Sequence, residues 1–292
     1  MVEIERFTDP RAVLAAAGDL LAAEPVLTTV TSTVTHGAVG TPAPTEHPRW
    51  WLVVRVEGEV VGIVMRTAPF APYPVYTTPL PDDAARAVGE WLVRHAPDVR
   101  IVGGGLPAAE TIAGVLAGAA GVQVEGSERL RLFDLPALVP PPAAPGGRRL
   151  ATASDLDLCA AWLARFDGEA AEQAGRSHHG EGELSRTEVA RRIEEQRTWL
   201  WEVDGVPVHL TSFNHPALGV ARIGPVYTPR EHRGHGYAAS CVAAVSDDLL
   251  ALGARVCLFA DADNPVSNGV YVRLGYRPLA LTGRFELGPI TR

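Results

Sequence analysis

At 292 residues, with 47% hydrophobic and 21% charged side chains, the chain has an ordinary globular composition and is long enough for two cores. A formal net charge of −8 argues against a general nucleic-acid binder or a partner of anionic membranes. Cys159, Cys241 and Cys257 are odd in number and far apart in apolar segments, which predicts buried thiols rather than a disulfide framework or a metal site. The start, Met1-Val-Glu-Ile-Glu-Arg-Phe, lacks a basic-then-apolar leader, and no run of 18 apolar residues occurs, so a cytoplasmic location is expected.

In chain order, Asp9 and Pro10 read as the cap and first residue of a helix over 9–24. The Thr-rich run 28–35 reads as a strand, and 37–48 as a loop. Residues 50–56 and 60–65 read as two strands turning at Glu57-Gly58-Glu59. A helix over 82–95, a short strand over 99–102, a helix over 107–119 and a mostly extended stretch over 122–135 complete the first half. Gly103-Gly-Gly105 reads as a flexible turn rather than a phosphate loop. Five prolines and two glycines between Leu135 and Arg149 mark a linker, giving domains over 1–135 and 148–292 joined by 136–147.

The second half opens with a strand near Leu150 and a helix capped by Ser154 or Asp155 running to about Phe166. A polar, Gly-rich stretch, 167–182, follows. Ser185 with Glu188 three residues on reads as a capping box for the next helix. Strands over 198–203 and 206–212 turn at Asp204-Gly205, and a third strand covers 220–228. A helix from 236 to 252, a strand over 256–260, a helix over 265–274 and two short strands around Gly283 end the chain. The halves echo each other: Trp51-Leu-Val-Val-Arg-Val-Glu-Gly parallels Trp199-Leu-Trp-Glu-Val-Asp-Gly, and Val75-Tyr-Thr-Thr-Pro79 parallels Val226-Tyr-Thr-Pro229. A tandem duplication is the reading. The first copy has Leu80-Pro-Asp-Asp-Ala where the second has an arginine and two glycines, so it is expected to bind no cofactor.

That second-copy segment, Arg233-Gly-His-Gly-Tyr-Ala238, joins a strand to a helix. Free N–H groups and the dipole at a helix N-terminus favour an anion, and Gly234 and Gly236 let a phosphate approach the main chain. Two cofactor types fit. Gly234-His-Gly236-Tyr-Ala-Ala239 formally matches a dinucleotide fingerprint, with Asp261 as the ribose-binding acid. Against it, Arg230-Glu-His-Arg233 separates the strand from the glycines, Pro225 interrupts the strand, and no further βαβ units follow.

The same residues resemble the GCN5-related N-acetyltransferases. That family's pattern of Arg or Gln, two residues, Gly, one residue, and Gly or Ala is filled by Arg233 to Ala238. Its second motif, Asn followed seven residues later by Tyr and then a Gly-aromatic pair, is supplied by Asn264, Tyr271 and Gly275-Tyr276. The resemblance covers roughly 148–287 and looks closest to acetyltransferases with an extra N-terminal region. It implies an α/β (α+β) fold of tandem GNAT-like domains, each a mixed, mostly antiparallel twisted sheet flanked by helices. It further implies acetyl-CoA as co-substrate, no metal, and transfer of acetyl to a primary amine on a small molecule or peptide. No nucleic acid or membrane partner is implied, and a monomer or homodimer is expected.

On this reading the main chain of Arg233, Gly234, His235, Gly236, Tyr237 and Ala238 holds the coenzyme diphosphate. Pro225 marks where its strand parts from 256–260, and Val226, Tyr227 and Thr228 line the pantetheine arm. Tyr271 is the candidate general acid, since a phenol is protonated at neutral pH. Asn264 is a cofactor contact, a helix cap, or both; Asn268 is a lesser candidate. No motif marks a general base, and His178, His179, His209, His215, Glu169 and Glu172 all stay open. The acidic residues of 167–182 suggest a cationic amine. A non-catalytic acyl-CoA-binding or interaction module is the alternative, and a dinucleotide-dependent oxidoreductase the third reading.

Overall fold

The computed structural model describes residues 1–41, 47–69, 71–173 and 185–288. The chain forms two compact units, Met1–Arg131 with the strand segment from Ala280, and Leu132–Leu279. Both have the α/β (α+β) architecture of a mixed, mostly antiparallel sheet with helices on either face.

Along the first half of the chain the elements are β1 (Val2–Phe7), α1 (Pro10–Ala23), α2 (Thr29–Ala38), β2 (Trp50–Val56), β3 (Glu59–Arg66), β4 (Val75–Thr77), α3 (Asp82–His95), β5 (Ile101–Gly105), α4 (Ala108–Ala120) and β6 (Gln123–Asp134), whose last three residues lie in the second unit. Pairing is antiparallel from β1 through β4 and parallel between β4 and β5. Trp50 to Val54 is apolar without alternation because both faces are covered. Trp50, Leu52 and Val54 pack with α3 and α4, while Trp51 and Val53 pack with α1. Each such side chain taken from water contributes about 1.5–3 kcal/mol.

The second half of the chain repeats that order: β7 (Gly147–Leu150), α5 (Leu156–Gln173), α6 (Arg186–Glu194), β8 (Thr198–Val203), β9 (Val206–Phe213), β10 (Val220–Tyr227), α7 (Tyr237–Ala251), β11 (Arg255–Asp261), α8 (Pro265–Arg273) and β12 (Arg277–Gly288), the last lying mostly in the first unit. Again the β7–β8–β9–β10 pairings are antiparallel and β10–β11 is parallel. Trp201, Val208, Ala221, Ile223, Val256 and Leu258 pack under α7 and α8, and Leu200 and Leu210 under α5 and α6. Both hairpins turn on two residues with positive φ, Glu57-Gly58 and Asp204-Gly205, as a tight primed turn requires.

Several expectations are corrected. Residues 28–35 are mostly helix, not strand. The Thr28 hydroxyl donates to the Leu21 and Glu24 carbonyls, and Thr35 Oγ1 accepts from Trp51 Nε1 at 3.1 Å, so tertiary contacts override β-branched propensity. Gly103–Gly105 is strand rather than turn. The segment around Gly283 is one long strand, since Gly283 pairs with Gly104 and yields room to Phe285 and Leu106. The helix after Leu150 is capped at Thr152, whose side chain and that of Asp155 cap each other's backbone, rather than at Ser154 or Asp155. The C-terminal segment, expected within 148–292 as part of the second domain, pairs with β5 of the first unit through Thr282↔Gly105 to Glu286↔Ile101. The three cysteines are free and buried.

Candidate functional site

The site begins where two parallel strands part. β10 and β11 pair from Val220↔Arg255 to Ile223↔Leu258 and no further, although β10 continues to Tyr227 and β11 to Asp261. β10 stays attached to β9, through Val226↔Thr211 and Tyr227↔Leu210, after a bulge between Ile223 and Val226. Pro225 lies in that bulge and has no N–H to give to a ladder. Arg192 of α6, 7% exposed, secures the bulge. It donates to Gly224 O at 3.2 Å, Ser212 Oγ at 3.3 Å, Asn214 Oδ1 at 2.6 Å and Glu188 Oε1 at 3.1 Å.

Beyond β10 the chain makes one turn of 3-10 helix, Arg230–His232, and enters the glycine turn. Gly234 and Gly236 both have φ near +82°, and a side-chain atom at Gly234 would meet nothing within 4 Å. Gly236 caps α7 without any side-chain hydrogen bond, so the first-turn N–H groups have no oxygen from a capping side chain. Arg230 and Arg233 bring positive charge to the turn, set against Glu231 in the segment and Glu169 of α5. The exposed His235 ring stacks on Tyr237 at 5.3 Å. An oxyanion is the ligand that such donors, dipole and charge favour.

Arg233 is positioned from two sides. Its Nε donates to Thr228 O at 2.9 Å, and its Nη2 pairs with Glu169 of α5. Glu169 also accepts from the Tyr227 hydroxyl at 3.0 Å and lies 3.5 Å from Arg230 Nε. Burial and the Glu169 carboxylate hold the Tyr227 phenol above its ordinary pKa. The Tyr227 ring packs against Trp162 and Phe166, so toward the parted strands it offers only main chain. Val226 packs on the α7 side, and the Thr228 hydroxyl is bonded to His209. Sequence reasoning missed the Glu169–Arg233–Tyr227 cluster; its members are 58 and 64 residues apart, and no local pattern joins them.

At the far side, Asn264 caps α8: its Oδ1 accepts from Val266 N and Ser267 N at 3.1 and 3.2 Å. Asn268 Nδ2 donates to the carbonyls of Asp261, Ala262 and Asn264, and its Oδ1 is buried with no partner among the described residues. Tyr271 is 8% exposed, between Phe133 and Tyr276. Burial pushes its phenol up to about 12, so the proton stays on the oxygen across the working range. Asp261 accepts from Asp263 N at 2.9 Å, a bond within its own turn.

Of the open base candidates, His209 is fully buried with both ring nitrogens bonded to threonine hydroxyls, and burial lowers its pKa to about 3. It cannot face an acceptor. Glu169 has its oxygens engaged by Arg233 and Tyr227. His215 is exposed, with Nδ1 3.1 Å from Pro216 O. His178, His179 and the Glu172 side chain lie outside the described residues, as does most of the 167–182 stretch. Among the described residues no cluster of three or more His, Cys, Asp or Glu could hold a metal.

The first unit closes each of these features. β4 pairs with β5 through Val75↔Val102, Tyr76↔Gly103 and Thr77↔Gly104, with no parting. A Cβ on Gly104 would lie 2.1 Å from Thr77 O, and one on Gly105 2.8 Å from Pro79 N, so these two glycines allow β5 to press against β4 and the residues just after it. The N-terminus of α3 begins after Pro81 and carries its own anions: Asp83 Oδ1 accepts from Ala84 N at 2.8 Å, and Asp82 pairs with Arg86.

Residues 215–284 match the family model described as FR47-like protein. No curated protein matches the chain by sequence. Among solved structures, a GCN5-related N-acetyltransferase from Sphaerobacter thermophilus is similar at TM-score 0.58 and 17% identity, over 99% of this chain and 97% of that one. A tandem GNAT protein from the clavulanic acid biosynthesis pathway is similar at 0.57 and 19%, over 99% of both chains. A GNAT-family acetyltransferase from Colwellia psychrerythraea is similar at 0.53 and 11%, over 98% of this chain and all of that one. Identities this low speak for the fold alone. The chain thus shares the fold of these acetyltransferases along nearly its whole length, and residues 215–284 carry the match to the FR47-like model.

Proposed function

We propose that the chain is an acetyl-CoA-dependent N-acetyltransferase whose second unit does the chemistry and whose first unit is a degenerate copy. The observation that carries this reading is the parting of β10 from β11 after Ile223 and Leu258, just ahead of an α7 N-terminus with no side-chain cap. A gap between parallel strands suits an extended amide-bearing arm, which pairs with free main-chain groups as an added strand does. The turn from Arg233 to Ala238 would receive the diphosphate through main-chain donors, with Gly234 and Gly236 allowing close approach. Val226, Tyr227 and Thr228 would line the arm through their main chain.

Bound acetyl-CoA supplies an acetyl thioester, whose carbonyl carbon accepts the amine and whose sulfur leaves. A free main-chain N–H near the β10 bulge would steady the negative charge developing on the carbonyl oxygen, worth about 3 kcal/mol. Tyr271 would keep its proton on Oη until a departing thiolate takes it. Asn264 fixes the start of the helix that carries Tyr271 and acts on the site through that helix. The amine proton would leave through water, since the buried His209 and the engaged Glu169 are both held by other partners.

The test is release of thiol from acetyl-CoA in the presence of a panel of small amines and peptides. Amine-dependent release supports the enzyme. Tight coenzyme binding with no acceptor in the panel would favour the binding module, and NAD binding without CoA binding the oxidoreductase.

A further inference from the structure

Beneath the start of α7 runs a buried polar row that coenzyme binding by main chain does not explain. His209 of β9 is fully buried. Its Nδ1 is 2.7 Å from Thr228 Oγ1, and its Nε2 is 2.7 Å from Thr211 Oγ1. Thr228 follows the last residue of β10, and its carbonyl accepts from Arg233, the residue that opens the glycine turn. The bonds therefore run without a break from the sheet interior, through Thr228, to the turn.

A leucine would fill this place without bringing polar atoms out of water. Burying an imidazole costs its hydration, and two hydrogen bonds at best restore it. What the ring adds is direction. Burial keeps it neutral, so one nitrogen donates and the other accepts, and the two threonine hydroxyls are held on opposite sides of one rigid plane. Thr228 sits where β10 has left β11 and has no ladder partner on that side. Without a fixed side chain its main chain could rotate, and Arg233 with it.

We propose that His209 is a positioning residue for the coenzyme. Through Thr228 it sets the end of β10 and the entry to the glycine turn, so that strand and turn meet one ligand together. This rests on the coenzyme reading above.

Asparagine and glutamine separate the two bonds. His209→Asn keeps an amide group near the place of Nδ1, toward Thr228, whereas His209→Gln reaches toward the place of Nε2 and Thr211. Thr228→Val removes the hydroxyl and keeps the shape. CoA binding to each full-length variant is measured by calorimetry, beside thermal unfolding. Both His209 variants are expected to lose a similar amount of thermal stability. Affinity for CoA is expected to fall about tenfold in His209→Gln and Thr228→Val, the effect of one directed hydrogen bond, and to be largely recovered in His209→Asn. Equal affinities across the three variants and the parent would overturn the role of His209 and leave the coenzyme reading standing. Failure of the parent itself to bind CoA would overturn both.

Discussion

Replacing Gly236 with alanine separates a coenzyme cradle from an ordinary helix start. The new Cβ would lie 3.8 Å from Ala144 Cβ, an ordinary contact, so crowding is not the issue. The backbone is: φ is +82°, where an L-residue is disfavoured by about 1–2 kcal/mol. If the chain keeps that conformation, stability falls by this amount, a tolerable fraction of the about 5–15 kcal/mol typical of a domain. If it relaxes, the N–H groups on either side swing away from the anion they would share. One charge-assisted hydrogen bond lost is about 1.5–3 kcal/mol, or about tenfold to a hundredfold in affinity. Gly253, just beyond the other end of α7, is the control: φ is +79° and nothing lies within 4 Å. Both Gly236→Ala and Gly253→Ala are expected to lower the unfolding temperature similarly, while only Gly236→Ala weakens CoA binding by calorimetry. Equal affinity in the two variants would refute the cradle.

Other expectations follow from the same geometry. Tyr271→Phe keeps the ring between Phe133 and Tyr276 but removes the proton donor, so turnover is expected to fall about 10²–10⁴-fold with CoA affinity within a few-fold, as read by thiol release and calorimetry. Burial raises the Cys159 and Cys241 thiols from 9.0 to about 12, and the Tyr271 phenol from 10.0 to about 12. The folded chain thus holds these protons more tightly than the unfolded one, and the stabilisation is complete below about pH 9 and lost between about pH 9 and 12. Thermal unfolding measured across that range should show the decline; a flat profile would contradict the burial. Ending the chain after Leu279 removes one of the two partners of β5, so hydrogen exchange should rise in β4 and β5 of the first unit more than in β8 and β9 of the second.

Where one local rule governed, the sequence was legible. Asn264 before Pro265 caps α8, Ser185 Oγ accepts from Glu188 N, and both primed hairpin turns fall where Gly58 and Gly205 stand. The order of elements from β7 to α8 followed from periodicity and turn residues, and the end of pairing near Pro225 from its missing N–H. Misreadings came where distant contacts decide. The hydroxyl-rich α2 is helical because its threonines meet carbonyls and Trp51 across the unit. β1 went unread because Val2 and Ile4 alternate with Glu3 and Glu5 for only four residues before Arg6 breaks the period. The Gly103–Gly105 run is permissive of close strand approach rather than of a turn, which only the position of Thr77 and Pro79 reveals. The pairing of β12 with β5 joins residues about 180 positions apart, a separation at which no pattern in the chain names the partner. His209 was one of six open base candidates; that both its nitrogens end on threonines needed the fold.

The most direct test is a calorimetric titration of acetyl-CoA into the intact protein, repeated with NAD. One parted strand pair and one glycine turn require saturation at one acetyl-CoA per chain and no heat from NAD. Saturation at two per chain would show that the first unit binds as well, and no acetyl-CoA binding would remove the basis for the enzyme.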